Sequence, residues 1–389
     1  MGRFMSVNNS RPPMGRRGRR RVVGGAVLLV ATLVTTSCGG SPTASSNGSK
    51  SSKSGSTSAV KFFAKMSKQP DDQRHDALVK QAEKEGQLDL YTSMTSDVAD
   101  AVTSAFSDQY KVDVNVYRAA SETVLQRILQ EQKANFRGND VVESNATEMF
   151  ALQKEGDLAP YSGTRRDLVP AAGKFADWTA TRFNLFTPSW NTKRVKPSEA
   201  PKTWEDLADP KWDGKLSMEI SDSDWYLTLY KYWEKQGKSK QEIDKLFADM
   251  AHGAKIVKGH TVQGELLSAG QFSVAASNYS YIVARAKQTG APVDYLPFVQ
   301  PVIARPNGIG LMKTAKHPAA AMLFTDWLLS KDGQKVLTDL YLTPAIPEGK
   351  NPLDGITVIP VDVKELLAND EKWSAQYDKV VSGGDVVTQ

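Results

Sequence analysis

The chain has 389 residues, of which 40% are hydrophobic and 24% charged, and a formal net charge of +5. Seven Arg and no acidic residue lie in the first 37 positions, so subtracting those seven leaves about −2, and a nucleic-acid partner is not expected. A single cysteine rules out an intrachain disulfide, and no apolar run after the first 37 residues is long enough to span a bilayer.

The chain opens with an export signal. Arg16, Arg17, Arg19, Arg20 and Arg21 form a basic cluster, Val22 to Val34 an apolar run, and Thr35-Thr36-Ser37-Cys38-Gly39-Gly40 a small-residue stretch. This order describes a secretory signal, and the run is shorter than the ~20 residues a membrane span needs. Arg19-Arg20 ahead of Val22-Val23 also loosely resembles a twin-arginine signal. Cys38 at the cut reads as the lipidated first residue of the mature protein, although Thr35 stands where such boxes usually carry Leu or Val. Residues 38–60, the cysteine and a Ser/Gly/Thr/Lys stretch, cannot bury a core and are expected to form a flexible tether.

The body follows. The spacing predicts a helix over Asp71–Glu85 stopped by Gly86, a strand at Gln87–Tyr91, and a helix from Ser96 or Asp97 to about Tyr110. Val112, Val114 and Val116 alternate as a second strand, and Ser121 or Thr123 starts a helix carrying Val124, Ile128 and Leu129. Asp140–Glu143 is a third strand, with a helix from about Thr147 to Glu155. Strand alternating with helix specifies a parallel sheet covered by helices. Ligands of such sheets bind outside the carboxyl ends of the strands, which here carry Thr92, Ser93, Ser121, Glu122 and Asn145. A second α/β unit is expected from helices at Trp225–Gln236 and Lys240–Met250 and a strand at Phe272–Ala276. Ile309–Met312 returns as a strand, followed by helices at Pro318–Leu329, Gly333–Leu340, Val363–Leu367 and Glu371–Val380.

Several segments resemble the substrate-binding proteins of ABC importers, in the branch described as ferric-iron-binding-like. They are Leu88–Ser93, Glu155-Gly156-Asp157-Leu158-Ala159-Pro160-Tyr161, Pro201–Leu207 with Asp209–Lys215, and Ala315–Leu329 with Ser330–Gln334. The resemblance spans about residues 85 to 345 and implies the type II periplasmic-binding-protein fold, an α/β architecture of two lobes with a ligand cleft between them. The crossover strands are expected near Phe183–Asn191 and Ile303–Met312. On this reading residues 61–185 start lobe 1, 186–305 form lobe 2, and 306–389 return to lobe 1 and add C-terminal helices. A permease and its ATPase are the implied partners of a monomeric binding protein anchored outside the cytoplasm.

For the ligand, the resemblance points to Asn278-Tyr279-Ser280-Tyr281, similar to a segment whose paired tyrosines hold Fe(III) in iron-binding members. Here Ser280 separates Tyr279 and Tyr281, and no histidine follows the first strand. His75, His252, His260 and His317 are read as surface or capping residues. Asp222–Tyr226 opens a second-lobe helix, so Trp225 and Tyr226 join the expected ligand residues. Fe(III) as transported ligand and a small organic anion both remain open. No nucleophile elbow, zinc helix, P-loop or dinucleotide glycine motif is present, so an enzyme is not expected. A lipid-anchored sensor on the same fold is the alternative to an importer component, and an extracellular enzyme the remote one.

Overall fold

A computed structural model describes residues 58–348 and 353–387. The export signal, Cys38 and most of the expected tether lie outside the described residues.

Helix α1 (Ser58–Met66) begins inside the segment expected to be tether, a correction with a plain cause: Ala59, Phe63 and Met66 recur at helical spacing and all are buried. After it come α2 (Asp71–Glu85), β1 (Gln87–Thr92), α3 (Ser96–Tyr110), β2 (Asp113–Arg118), α4 (Ser121–Lys133), β3 (Val141–Asn145) and α5 (Ala146–Glu155). Gly86 ends α2 in the left-handed region at φ 67°, its N–H bonded to the Ala82 carbonyl, as its glycine identity suggested. Strands β2, β1 and β3 pair in parallel in that order, giving the expected first α/β unit.

Next are β4 (Leu158–Ala159), α6 (Thr164–Leu168), the long β5 (Trp178–Asn191), β6 (Leu216–Glu219), α7 (Ser223–Lys235), α8 (Lys240–Ala251), β7 (Lys255–Val257), α9 (His260–Ser268), β8 (Val274–Tyr279), α10 (Ser280–Gln288) and β9 (Val293–Asp294). The chain returns along β10 (Val302–Met312) into α11 (Pro318–Leu328), α12 (Lys331–Asp339), β11 (Thr343–Pro344), β12 (Val358–Pro360), α13 (Val363–Ala368), α14 (Asp370–Val381) and β13 (Asp385–Val386).

One sheet runs through both lobes, in the order β13-β7-β6-β8-β5-β10-β3-β1-β2. Strands β5 and β10 are its antiparallel centre: β10 pairs with β3 of lobe 1, and β5 pairs with β8 of lobe 2. These are the two crossover strands, each longer than the bounds the resemblance implied. Their mutual register shifts between Asn307 and Gly308, a bulge of the kind that re-aims side chains beside a site. Gly308 is required there, because a Cβ would lie 2.2 Å from the Trp178 ring.

Each lobe has an aromatic centre. In lobe 1, Phe106 meets Phe324 and Trp327 edge-on at 5.0 and 5.5 Å between ring centroids. Helix α11 is buried on nearly every side, which explains its almost wholly apolar sequence. In lobe 2, Trp225 lies among Trp204, Phe247 and Tyr377, and Tyr226 packs on Phe247 at 4.4 Å. The C-terminal helices end on lobe 2: β13 pairs in parallel with β7 at that lobe's sheet edge. Among the described residues no helix is long and apolar enough to cross a membrane.

Candidate functional site

Side chains alternate across the crossover strands. Phe183, Leu185 and Ala304 face an apolar cavity of about 880 Å³ on one side, whereas Arg182, Asn184, Arg305 and Asn307 face a polar cleft of about 630 Å³ on the other. The cleft is walled by the starts of α4 and α5 from lobe 1, and by the loops after β6 and β7 and the start of α10 from lobe 2. An ion pair between Asp97 at the start of α3 and Arg285 of α10 also links the two lobes.

The lobe 1 wall is built from helix beginnings. Ser121 is the first residue of α4, and its hydroxyl accepts from Asn145 Nδ2 at 2.9 Å. Asn145 Oδ1 in turn accepts from Asn307 Nδ2 at 2.6 Å, tying this wall to a crossover strand. Ser93 Oγ and Thr95 Oγ1 are buried without a protein partner. Glu122 and Glu148 lie in the first turns of α4 and α5, where the helix dipoles favour negative charge. Burial nevertheless pushes the Glu148 carboxyl up to about 7, with Glu122 adding repulsion, and Glu148 Oε2 has no partner.

The crossover strands contribute two arginines. Arg182 pairs with Glu143 inside the protein, and Thr92 Oγ1 donates to the other oxygen of that carboxylate at 2.8 Å. Arg305 pairs with Asp224 at 3.1 Å, and its guanidinium lies 5.3 Å from the Phe186 ring centre and 5.0 Å from that of Tyr279. Each arginine is thus neutralised on one side, and each Nε is buried without a protein partner.

The lobe 2 wall assembles three segments distant in sequence: residues 219–224, 258–262 and 277–282. Glu219, at the end of β6, accepts from the Gly259 and Ser221 amides at 2.8 and 2.6 Å. Burial and the neighbouring Asp222 push its carboxyl up to about 7. Asp222 accepts from Ser277 Oγ at 2.6 Å and lies 3.1 Å from His260 Nε2; burial and Asp224 hold its carboxyl well above the usual range. Burial lowers His260 to about 4, so the ring is neutral near pH 7. That ring stacks on Tyr279 at 3.7 Å and 17°. Tyr279 is 5% exposed, and its hydroxyl has no partner among the described residues.

Tyr279 ends β8 and Tyr281 lies in the first turn of α10. The strand-to-helix corner leaves both rings lining the cleft, nearly parallel at 15° with centroids 6.1 Å apart. The intervening Ser280 therefore does not separate them. Burial raises the Tyr281 hydroxyl's pKa.

Of the residues expected to meet ligand, Ser93, Ser121, Glu122, Asn145, Tyr279 and Tyr281 line this cleft. Four do not. Thr92 is buried beneath it, bonded to Glu143 and to the Met94 amide. Asn278 is fully buried in the lobe 2 sheet, where its Oδ1 accepts from the Tyr279 amide. Trp225 and Tyr226 face away into the lobe 2 aromatic core, because the α7 face that follows Asp224 is the one packed on α8 and α14. His260 is a further correction: expected at the surface, it is a cleft residue. Glu148, Arg182, Glu219 and Arg305 were missed, and only the alternation of polar residues in Arg182-Phe183-Asn184 and Arg305-Pro306-Asn307 could have signalled the arginines.

A second acidic cluster, Asp89, Asp140 and His317, serves the fold. Asp140 accepts from the amides of Asp89, Lys316 and His317 and from His317 Nδ1, so its oxygens are satisfied within lobe 1.

Iron uptake protein A2 of Synechocystis is 25% identical over 294 residues, covering 71% of this chain and 80% of that protein. Iron-bound HitA from Pseudomonas aeruginosa superposes with a TM-score of 0.64 at 18% identity, covering 76% of this chain and 99% of HitA. AfuA from Actinobacillus pleuropneumoniae with bound fructose-6-phosphate gives 0.61 at 20% identity, covering 76% of this chain and 96% of AfuA. Residues 146–366, more than half of the chain, match the family described as bacterial extracellular solute-binding protein. With a two-lobed fold and a polar cleft at the crossover strands, the chain belongs to that family of solute-binding proteins.

Proposed function

We propose that this protein captures solute for an ABC importer, is anchored at the outer face of the cell membrane through a lipidated Cys38, and carries ferric iron in the cleft described above. The observation that carries the cargo reading is the buried Tyr279 hydroxyl, without a partner among the described residues and beside Tyr281, in a cleft richer in acid than in base. With Arg182 and Arg305 neutralised by their own carboxylates, Glu122, Glu148, Glu219, Asp222 and Asp370 share the cleft, among the described residues, with the cations Arg118 and Lys258. Glu148 and Glu219, buried and pushed up to about 7, and the raised Asp222 carboxyl can release their protons to a multivalent cation. Phenolate and carboxylate oxygens are hard donors suited to a hard cation. The similarity to an iron uptake protein supports the same cargo.

Delivery follows from the fold. A ligand that touches both walls selects the closed arrangement, since only differential affinity shifts a conformational equilibrium. Glu122 and Glu148 on one wall and Tyr279 and Tyr281 on the other supply such a bridge. The permease and ATPase would receive the closed form. Cys38→Ser is expected to release the protein from the membrane fraction into the medium.

One specific observation favours a second reading, a small organic anion. The Nε atoms of Arg182 and Arg305, which have no partner among the described residues, and the start of α4, which no side chain caps, could bind a phosphate or carboxylate. The two readings separate in one titration of the full Cys38→Ser chain with ferric citrate, followed by visible absorbance. A saturable charge-transfer band that disappears in Tyr279→Phe supports iron. Absence of a band, together with a thermal shift from citrate or a phosphate ester alone, would replace iron by the anion.

A further inference from the structure

The cleft has a third wall, contributed by a part of the chain that lies beyond the family match ending at residue 366. Asp370 and Ser374 of α14 line it, and Ser374 Oγ donates to Asp370 Oδ1 at 3.2 Å. They form one stripe of α14 at i, i+4 spacing, next to the stripe of Trp373, Tyr377 and Val381 that is buried. Tyr377 fixes the helix to the site itself: its hydroxyl donates to the Glu219 carbonyl at 2.5 Å, at the strand end from which the acidic loop of lobe 2 departs.

The same segment joins the lobes. Strand β12 pairs with the start of crossover strand β10, and the Val361 amide bonds to the Ala304 carbonyl. Helix α13 then packs against α5 of lobe 1 and α7 of lobe 2, burying Val363 and Leu366. Trp373 Nε1 donates to Glu365 Oε1 at 3.2 Å, tying α14 to α13, and α14 packs on α7 and α8. The chain finally adds β13 to the lobe 2 sheet, with Lys255 and Asp385 paired at 2.7 Å.

We propose that α13–α14 is a third crossing between the lobes that limits their opening, and that Asp370 and Ser374 contact the bound solute and set its selectivity. The inference rests on this cleft being the solute site, not on which solute occupies it. A helix fastened to both lobes must deform when they rotate, so the segment adds a restraint that two crossover strands alone lack. A carboxylate at its cleft end favours solutes with a positive centre and disfavours free anions.

The test uses the full Cys38→Ser chain, titrated calorimetrically with ferric citrate and separately with citrate. Asp370→Asn and Ser374→Ala are expected to leave the melting temperature unchanged, while Asp370→Asn weakens ferric citrate about tenfold relative to citrate. Unchanged affinities and an unchanged ratio in both variants would overturn the assignment of these residues. Binding of neither probe by the parent chain would count against the ferric reading, and the third crossing is then decided by a ligand-independent measurement. Spin labels at Glu83→Cys and Gln241→Cys report the distance between lobes, which is expected to lengthen and broaden when Leu366→Ser loosens α13. An identical distance distribution with and without Leu366→Ser would overturn the proposal.

Discussion

The two walls of the cleft are made differently. Lobe 1 presents helix beginnings, Ser121 and Glu122 on α4 and Glu148 on α5, directly after the strands that precede them. Lobe 2 brings Glu219 and Asp222, His260, and Tyr279 together from three separate segments, through contacts 38 to 55 residues apart along the chain such as Asp222–His260 and Asp222–Ser277. A wall of the first kind is specified locally, by a strand end and a helix start. A wall of the second kind exists only once a sheet has formed, so it stands or falls with the packing beneath it.

The largest effect should therefore come from that packing. Trp225→Ala is expected to lower stability by about 3–5 kcal/mol in chemical denaturation, as large aromatic truncations in cores do. Affinity per folded molecule should stay unchanged, because Trp225 faces away from the cleft. Lost affinity at unchanged stability would return it to the ligand-contacting set.

Protonation offers a second comparison, since each wall holds a carboxyl pushed up to about 7, Glu148 in lobe 1 and Glu219 in lobe 2. Below the unfolded value of about 4.5 both states carry the proton and burial carries no ionic penalty. As pH rises from there to about 7 the unfolded chain ionises first, so folding stability falls; above 7 the difference is constant. Glu148→Gln and Glu219→Gln should each remove part of that fall, as much as about 3 kcal/mol relative to the parent between pH 4 and 8. His260, lowered to about 4, acts oppositely over pH 4 to 6.5; it cancels in the Glu148→Gln difference, whereas Glu219→Gln also removes a charge that raises His260 and so lowers that ring further. Parallel pH–stability curves would show that these carboxyls ionise normally.

Ligand contacts sharpen the contrast. Tyr279→Phe should weaken ferric citrate binding by about a hundredfold or more, since even groups that only support a metal ligand are worth ten to a hundredfold. Ser121→Ala should have the smallest effect, about 1 kcal/mol or about fivefold in titration calorimetry, as for one neutral hydrogen bond. Equal losses from the two variants would erase the proposed difference between the walls.

What the sequence disclosed follows the same division. The strand–helix alternation of residues 71–155 was legible because period and turn residues act locally, as Gly86 does, whereas the two crossings came from the family resemblance. The tyrosine corner was located but its conformation was not: an extended segment would put Tyr279 and Tyr281 on one face and a helix would splay them, and the structure has instead a strand-to-helix junction that keeps the rings nearly parallel. His260 was misread because nothing adjacent in sequence marks it as buried; Asp222, Tyr279 and Phe186 surround it only in the fold. Trp225 and Tyr226 were misplaced for the converse reason. An aromatic at a helix start reads the same whether it faces a cleft or a core, and α14, which covers them, comes about 150 residues later.

The most direct measurement is anomalous diffraction at the iron edge from crystals grown with ferric citrate. A single strong peak in the cleft, within bonding distance of Tyr279 Oη, is the predicted result. No peak there, with citrate density on Arg182 and Arg305 instead, would contradict the ferric assignment.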